Sequence, residues 1–476
     1  MKFGNSAGQP NAADGHNGEP KLARRLGLFD ATMIVMGGII GSGIFMNPSV
    51  VARQVHTRFL ILGAWFFGGL IALIGAFIYA ELAARRPNVG GQYAYLRESY
   101  HPLIAFLFGW SLFLVSDCGG MAAVAVTFAR YFAELTGWQM TDTVIAIIAL
   151  GILTVVNCLG VRTGSTVQNI LMVTKIVAIL LLVGFGFRLI MGAVPPVPLA
   201  GHAGQIPPSG DAGQAGLAGR AAPGFSFDSL TVFGAAMVPV LFAYGGWQTA
   251  NFVAGEIKEP RKNLPRGLLI GVMGVVALYL TVNFVCVRAL GAEGLANTNT
   301  PATAVMRLAL GGPGATVIAI GIAISTLGFL SQSILTAPRV YFAMAQDGLF
   351  FKSVARIHPR TRVPVVAIAL QGALSMLLTL SGTYEQLLSY VVSDDFIFFG
   401  LSASCIFVLR KRSHGPDEER FNMPGHPYTT ALFIAICVFI VGNTIYKYPV
   451  NTAIGLGIIL TGIPVYYFWR SRRREG

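Results

Sequence analysis

Two glycine-rich stretches carry the residue types best suited to hold a small zwitterion. One is MGGIIGSGIF, residues 36–45, and the other is FAYGGW, residues 242–247. Both lie near the middle of apolar segments. Glycine costs a helix interior roughly 1 kcal/mol relative to alanine. Gly37, Gly38, Gly41, Ser42 and Gly43 are therefore poor choices for an unbroken membrane helix, and they suit an unwound one. Unwinding frees backbone N–H and C=O groups, each costing several kcal/mol if left in lipid. A break must therefore face a cavity and meet something polar. A half-helix starting after the break offers N–H groups and a positive dipole end, which suit a carboxylate. A half-helix ending at the break offers C=O groups, which suit an ammonium. An α-amino acid carries both charges on one carbon. Gly41, Ser42 and Gly43 accept unusual dihedrals and let a ligand approach the backbone, and Ser42 adds a hydroxyl donor.

Helix packing is the competing use of these glycines, because Gly37 and Gly41 have the GxxxG spacing. The second interrupted segment tips the balance. Phe242, Ala243, Tyr244, Gly245 and Trp247 belong to it. Aromatic residues in membrane spans mostly pack. Beside unwound backbone they are also candidate pocket walls, with Phe242 the candidate gate. Paired broken helices in corresponding positions of two halves point to a transporter binding site.

The elements that must position these stretches follow from composition. The chain has 476 residues, is 54% hydrophobic and 12% charged. A soluble protein would carry about twice that charged share. Apolar runs of spanning length recur throughout, so the chain reads as an all-α polytopic membrane protein. Twelve spans are predicted, near 29–52, 60–83, 102–132, 143–159, 165–190, 229–255, 266–289, 314–345, 364–380, 386–409, 428–446 and 451–469. The breaks fall in spans one and six, five apart. Spans 1–5 and 6–10 therefore read as an inverted repeat, about 28–192 and 227–410 within a transporter core of 28–410. Residues 428–470 supply spans eleven and twelve. Residues 1–27 read as a disordered cytoplasmic tail, 193–226 as an exterior loop and 301–311 as an exterior amphipathic helix. Residues 411–427 read as a cytoplasmic loop and 471–476 as a basic tail.

The net charge of +13 sits in alternate loops, at Arg85, Arg86, Lys258, Arg261, Lys262, Arg266, Arg410, Lys411 and Arg412 among others. That is the positive-inside pattern, not a nucleic-acid footprint. It places both termini in the cytoplasm of a multi-pass protein of the cell (inner) membrane. Cys118, Cys158, Cys286, Cys405 and Cys437 all fall inside predicted spans, so no disulfide framework is implied. The seven histidines are scattered without metal-ligand spacing. No GxxxxGK[ST] phosphate loop occurs, and no nucleophile–base pair is legible. An enzyme, an ATP-driven pump and a metal or cofactor site are not expected. The polar run GEIKEPRKNLPRG, 255–267, reads as a cytoplasmic loop that clamps span seven, its charges contacting one another and anionic headgroups. Closure of an inner gate is its second possible use.

These residues resemble one family. GGIIGSGIF and FAYGGW look like the two unwound segments of the L-type amino-acid transporters, in the amino acid–polyamine–organocation (APC) superfamily with the leucine-transporter (LeuT) fold. GGQYAY at 90–95, VNCLGVRTGSTVQNI at 156–170, NFVAGEIKEPRKNLPR at 251–266 and LTAPRVYFAMAQDG at 335–348 also match its pattern. The resemblance implies a substrate held by Ile39, Ser42, Gly43, Phe242 and Gly245. It implies that Lys175, mid-span in QNILMVTKIVAILLL, matters. A buried lysine costs roughly 2.5–3.5 kcal/mol on insertion scales, so it needs a partner. Neighbouring carbonyls would suffice for a structural charge. In sodium-coupled relatives a cation bridges spans one and eight near this place, and the Lys175 ammonium could replace it. The expected function is sodium-independent amino-acid transport by alternating access, with exchange or proton coupling both open.

The sequence also departs from the family. The loop near 133–142 lacks the cysteine that partnered members carry, so a disulfide-linked accessory subunit is not expected. Gln248 stands where asparagine is common, and Phe396 where tryptophan is. Asp117, Asp394 and Asp395 are unusual beside a pocket for large neutral amino acids. They read either as water-lining or hydrogen-bonded structural acids, or as selectors of cationic amino acids or polyamines, or as proton-carrying carboxyls. An amino-acid sensor is the alternative of a different class, and the short tails argue against it.

Overall fold

The computed structural model describes residues 22–192, 227–380, 384–412 and 421–475. Residues 1–21 of the expected tail, the expected exterior loop 193–226 and residues 413–420 lie outside the described residues. Among the described residues the chain is helical, apart from one parallel bridge between Leu26 and Ile257. In chain order the helices are α1 (Leu28–Ile39), α2 (Gly43–Val55), α3 (Arg58–Arg85), α4 (Gln92–Ser99), α5 (Pro102–Ser111), α6 (Asp117–Thr136), α7 (Asp142–Cys158) and α8 (Val161–Ile190). Then follow α9 (Phe227–Tyr244), α10 (Pro260–Ala296), α11 (Pro301–Thr336), α12 (Pro338–Gln346), α13 (Val365–Leu378), α14 (Tyr384–Arg412), α15 (Tyr428–Lys447) and α16 (Pro449–Glu475).

Eight segments among the described residues are long and apolar enough to cross a membrane, and α7 and α13 are shorter apolar helices. Prolines open α5, α10, α11 and α12 at the first helical position, where a missing N–H costs nothing. Large apolar side chains such as Phe59, Ile152, Val155, Ile170, Leu180 and Val438 stay exposed. On helices of this length such a surface suits lipid rather than water.

Most expected boundaries lie within a few residues of the observed ones, and three features differ. Helix α4 was not expected. The expected exterior helix 301–311 runs into the following span, and only Gly311, with φ 69 and ψ −148, interrupts it. Between α5 and α6, Leu112–Ser116 form a π-helical turn. An inserted π turn has no signature in an apolar run.

Two packing groups position the breaks. Helices α1, α2, α3, α9 and α10 pack on one another. Gly267 and Gly271 of α10 leave room for Ala31 and Val35 of α1. Helices α6, α7, α8, α11 and α13 form a second group, with α11 packed along α8 and α6. The first break lies where α1 crosses both groups.

Candidate functional site

Helix α1 stops at Ile39, Ile40 is extended, and α2 starts at Gly43. Three of the carbonyls there accept from side chains. Tyr279 Oη of α10 donates to Ile39 O at 3.1 Å. Lys175 Nζ of α8 donates to Ile40 O. Ser325 Oγ of α11 donates to Gly41 O at 3.3 Å. The carbonyls of Ile39, Ile40 and Gly41 thus already have donors, and Ile39 O also accepts from Gly41 N at 3.0 Å. The protein uses them to tie three helices to the kink. The far side of the break is different. A helix start leaves its first N–H groups unbonded, and the Ser42 hydroxyl, 1% exposed, has no partner.

The second break is built from backbone shape. Helix α9 ends at Tyr244, and Trp247–Glu256 continue as a 3₁₀ helix. Gly246 takes φ +94, a left-handed value that glycine adopts without strain. Its carbonyl accepts from Thr249 Oγ1 at 2.7 Å. A Cβ on Gly246 would stand 2.1 Å from Gly38 O, so the two broken segments meet backbone to backbone. The left-handed position is Gly246, whereas Gly41 and Gly43 take ordinary φ values.

The glycines divide between the two expected uses. Gly37 and Gly38 lie inside α1 and serve close packing. A Cβ on Gly37 would stand 2.0 Å from Gln168 Nε2 of α8. Gly43 starts α2 against Ala243 of α9, where an added Cβ would meet the Ala243 Cα and Cβ at 3.0 Å. The start of α2 and the end of α9 are therefore neighbours. Asn47 Nδ2 fastens them by donating to Pro239 O at 2.7 Å.

The aromatic residues sort by burial. Tyr244 is buried between Trp65 and Tyr279, with centroids at 5.8 and 5.1 Å. Trp247 is buried edge-on to Tyr79 at 4.8 Å and beside Phe399 at 5.0 Å. Both pack against neighbouring rings and also line the cavity beside Gly245, while Phe242 is half-buried. A small apolar cavity adjoins Gly245 and is lined by Ile71, Leu241, Trp247, Phe396 and Phe433 among others.

Lys175 is fully buried and spans α1 and α11. A Cβ on Gly328 of α11 would lie 2.9 Å from Lys175 Cε, so glycine there admits the lysine stem. Asp117, Asp394 and Asp395 lie away from both breaks' hydrogen bonds. Asp117 accepts from Ser333 Oγ at 2.8 Å and from Gln371 Nε2 at 3.4 Å. Asp394 accepts from Ser116 Oγ at 2.6 Å.

Several partners escape a reading of the sequence. Tyr279, Ser325, Gln332, Thr249 and Asn47 each look like an isolated polar or aromatic residue in an apolar helix. Gln332 Nε2 donates to Thr249 Oγ1 at 2.5 Å, tying α11 to the second break. Glu256 is a correction. It was expected among loop charges and headgroups, but it is fully buried and pairs with Arg339 of α12 at 2.6 and 3.2 Å. Its carbonyl accepts from Arg25 N and Leu26 N, at 2.9 and 3.0 Å.

The comparisons agree with this architecture. The amino acid permease family matches residues 26–469. The chain is 31% identical over 462 residues to the serine/threonine exchanger SteT of Bacillus subtilis, covering 96% of this chain and 99% of that protein. It is 30% identical to the large neutral amino acids transporter small subunit 2 of Homo sapiens, covering 98% and 85%. It is 29% identical to the Asc-type amino acid transporter 1 of Mus musculus, covering 95% and 82%. With a family match over nearly its whole length and broken helices at both glycine stretches, the chain belongs to the amino acid permeases of the APC superfamily, with the L-type transporters, and is a transporter rather than an enzyme.

Proposed function

We propose that this amino acid permease is a sodium-independent exchanger of neutral amino acids that works by alternating access. One observation carries the reading: the free start of α2, with the unpartnered Ser42 hydroxyl, abuts the end of α9 at Gly43 and Ala243. In this reading the substrate carboxylate takes the N–H groups and hydroxyl at Ser42 and Gly43. Its ammonium takes carbonyls at the end of α9, which a helix terminus leaves unbonded, since those of Ile39, Ile40 and Gly41 have protein donors. Ile39, Gly41, Ala243, Tyr244 and Trp247 frame the site, Phe242 gates it, and the apolar residues around Gly245 face the side chain. The apolar residues around Gly245 favour a neutral side chain, and the serine/threonine exchanger among the relatives supports exchange of small ones.

Lys175 occupies the place of a coupling cation, its ammonium on Ile40 O and its stem against Gly328. Counting α7, α9, α13 and α14 with the eight long apolar segments gives twelve spans. The breaks in the first and sixth support two inverted repeats of five. Alternate basic loops support both termini in the cytoplasm. The cysteine-free loop between α6 and α7 supports function without a disulfide-linked subunit.

Counterflow in proteoliposomes tests the reading. Labelled L-serine, L-threonine or L-leucine should accumulate when unlabelled substrate is loaded inside, equally in sodium and choline buffers. Ser42→Leu and Gly245→Leu should abolish it. Unchanged counterflow in both variants sinks the site, and a strict sodium requirement sinks the role of Lys175.

A further inference from the structure

A second polar centre lies behind the breaks and plays no part in holding the zwitterion. Asp117 follows the π-helical turn, a feature frequent at functional sites, and its backbone N–H bonds Leu112 O. Asp117 reaches Ser333 on α11 and Gln371 on α13, and the preceding residue, Ser116, reaches Asp394 on α14. Asp395 is next along α14. Among the described residues no lysine, arginine or histidine pairs with any of the three. The remaining facing groups are the Cys118 thiol and the Tyr341 phenol of α12. Helices α5, α11 and α13 bring only Ser111, Ser333 and Gln371.

Several buried polar atoms of this centre lack a hydrogen-bond partner, Gln371 Oε1 and Tyr341 Oη beside Asp117 among them. Asp394 is 4% exposed and its Oδ1 has no hydrogen-bond partner. The Ser111 hydroxyl, fully buried at the end of α5, faces Asp394 as its nearest donor from that helix. An ionised carboxylate is acceptor-only, whereas a protonated one has an O–H donor. One proton lowers a buried negative charge that no cation offsets. The centre and the second break are both tied to α11. Ser333, which holds Asp117, is adjacent to Gln332, which holds Thr249 at the second break.

We propose that Asp117, Asp394 and Asp395 form a proton-binding site that loads and releases one proton in the transport cycle, so that the carrier, besides exchanging, can return empty and move one proton net with each amino acid. This rests on the carrier reading above, and the test separates the two. Proteoliposomes are assayed with labelled L-serine, L-leucine and L-arginine, first in counterflow and then under an imposed inward pH gradient of about one unit. One proton per substrate supports up to about tenfold accumulation at that gradient, with acidification of the lumen reported by an entrapped pH dye. Asp394→Asn should keep counterflow and lose both accumulation and acidification. Asp117→Asn should do the same, which covers loss of folding in either variant.

Counterflow by the unaltered protein without acidification or accumulation overturns the proton site and leaves the carrier standing. Accumulation that persists in both variants also overturns it. Arginine counterflow that disappears in Asp394→Asn, with neutral substrates unaffected, overturns it in favour of a contact with a cationic side chain. Failure of all counterflow in the unaltered protein overturns the carrier reading itself.

Discussion

The two breaks solve one problem in different ways. At the first, Ile40 is extended and three side chains from α8, α10 and α11 satisfy the exposed carbonyls one by one. At the second, a left-handed glycine turns the chain, and Thr249, three residues on, closes it. The first is held by separable bonds reaching across both packing groups. The second is held by steric fit against Gly38. Damage to the first should therefore be graded, and damage to the second should be abrupt.

Gly246→Ala should show the largest effect. A left-handed alanine costs about 1–3 kcal/mol. Overpacking against Gly38, whose backbone cannot swing aside, adds about 1–3 kcal/mol. We expect a drop in melting temperature in detergent and loss of transport by roughly a hundredfold, the equivalent of about 3 kcal/mol. A variant that melts and transports like the parent would show that the second break yields, and the contrast would be lost.

Lys175→Met comes next. Hydrogen bonds to charged groups contribute about 1.5–3 kcal/mol, so transport should fall about ten- to a hundredfold while the protein still elutes as a folded peak. Tyr279→Phe removes a neutral donor from Ile39 O and keeps the ring packed against Tyr244 and Trp65. A neutral bond contributes about 1 kcal/mol, so a fall of about fivefold is expected. Equal losses in the two variants would mean that the charge of Lys175 adds nothing to the bond it makes.

These partners mark where the sequence stops being legible. The breaks were visible because glycine in mid-membrane is costly, and two such stretches five spans apart have few other uses. Lys175 was visible because a charge in an apolar run demands a partner. Tyr279 and Ser325 carry no such signal, because one tyrosine or serine in an apolar helix is ordinary packing. Gly246 shows the same limit at finer scale. The stretch 41–43 and the pair 245–246 read alike, yet only Gly246 takes the left-handed turn. Which glycine bends depends on Gly38 lying opposite, and sequence does not give that neighbour. Glu256 misled for the opposite reason. Its charged surroundings suggest a solvated loop, while its partner Arg339 lies 83 residues away on α12.

Ser325→Ala should have the smallest effect, and for that reason it sharpens the comparison most. Its bond to Gly41 O is 3.3 Å long, longer than an ordinary O–H···O bond, so a loss at or below about 0.5 kcal/mol is expected. Transport should stay within about twofold of the parent. The order Lys175, Tyr279, Ser325 then follows donor charge and bond length, as separable bonds require. Should Ser325→Ala match Lys175→Met, the three donors would be acting as one unit. The first break would then be as all-or-none as the second, with the difference between them lying only in which atoms enforce it.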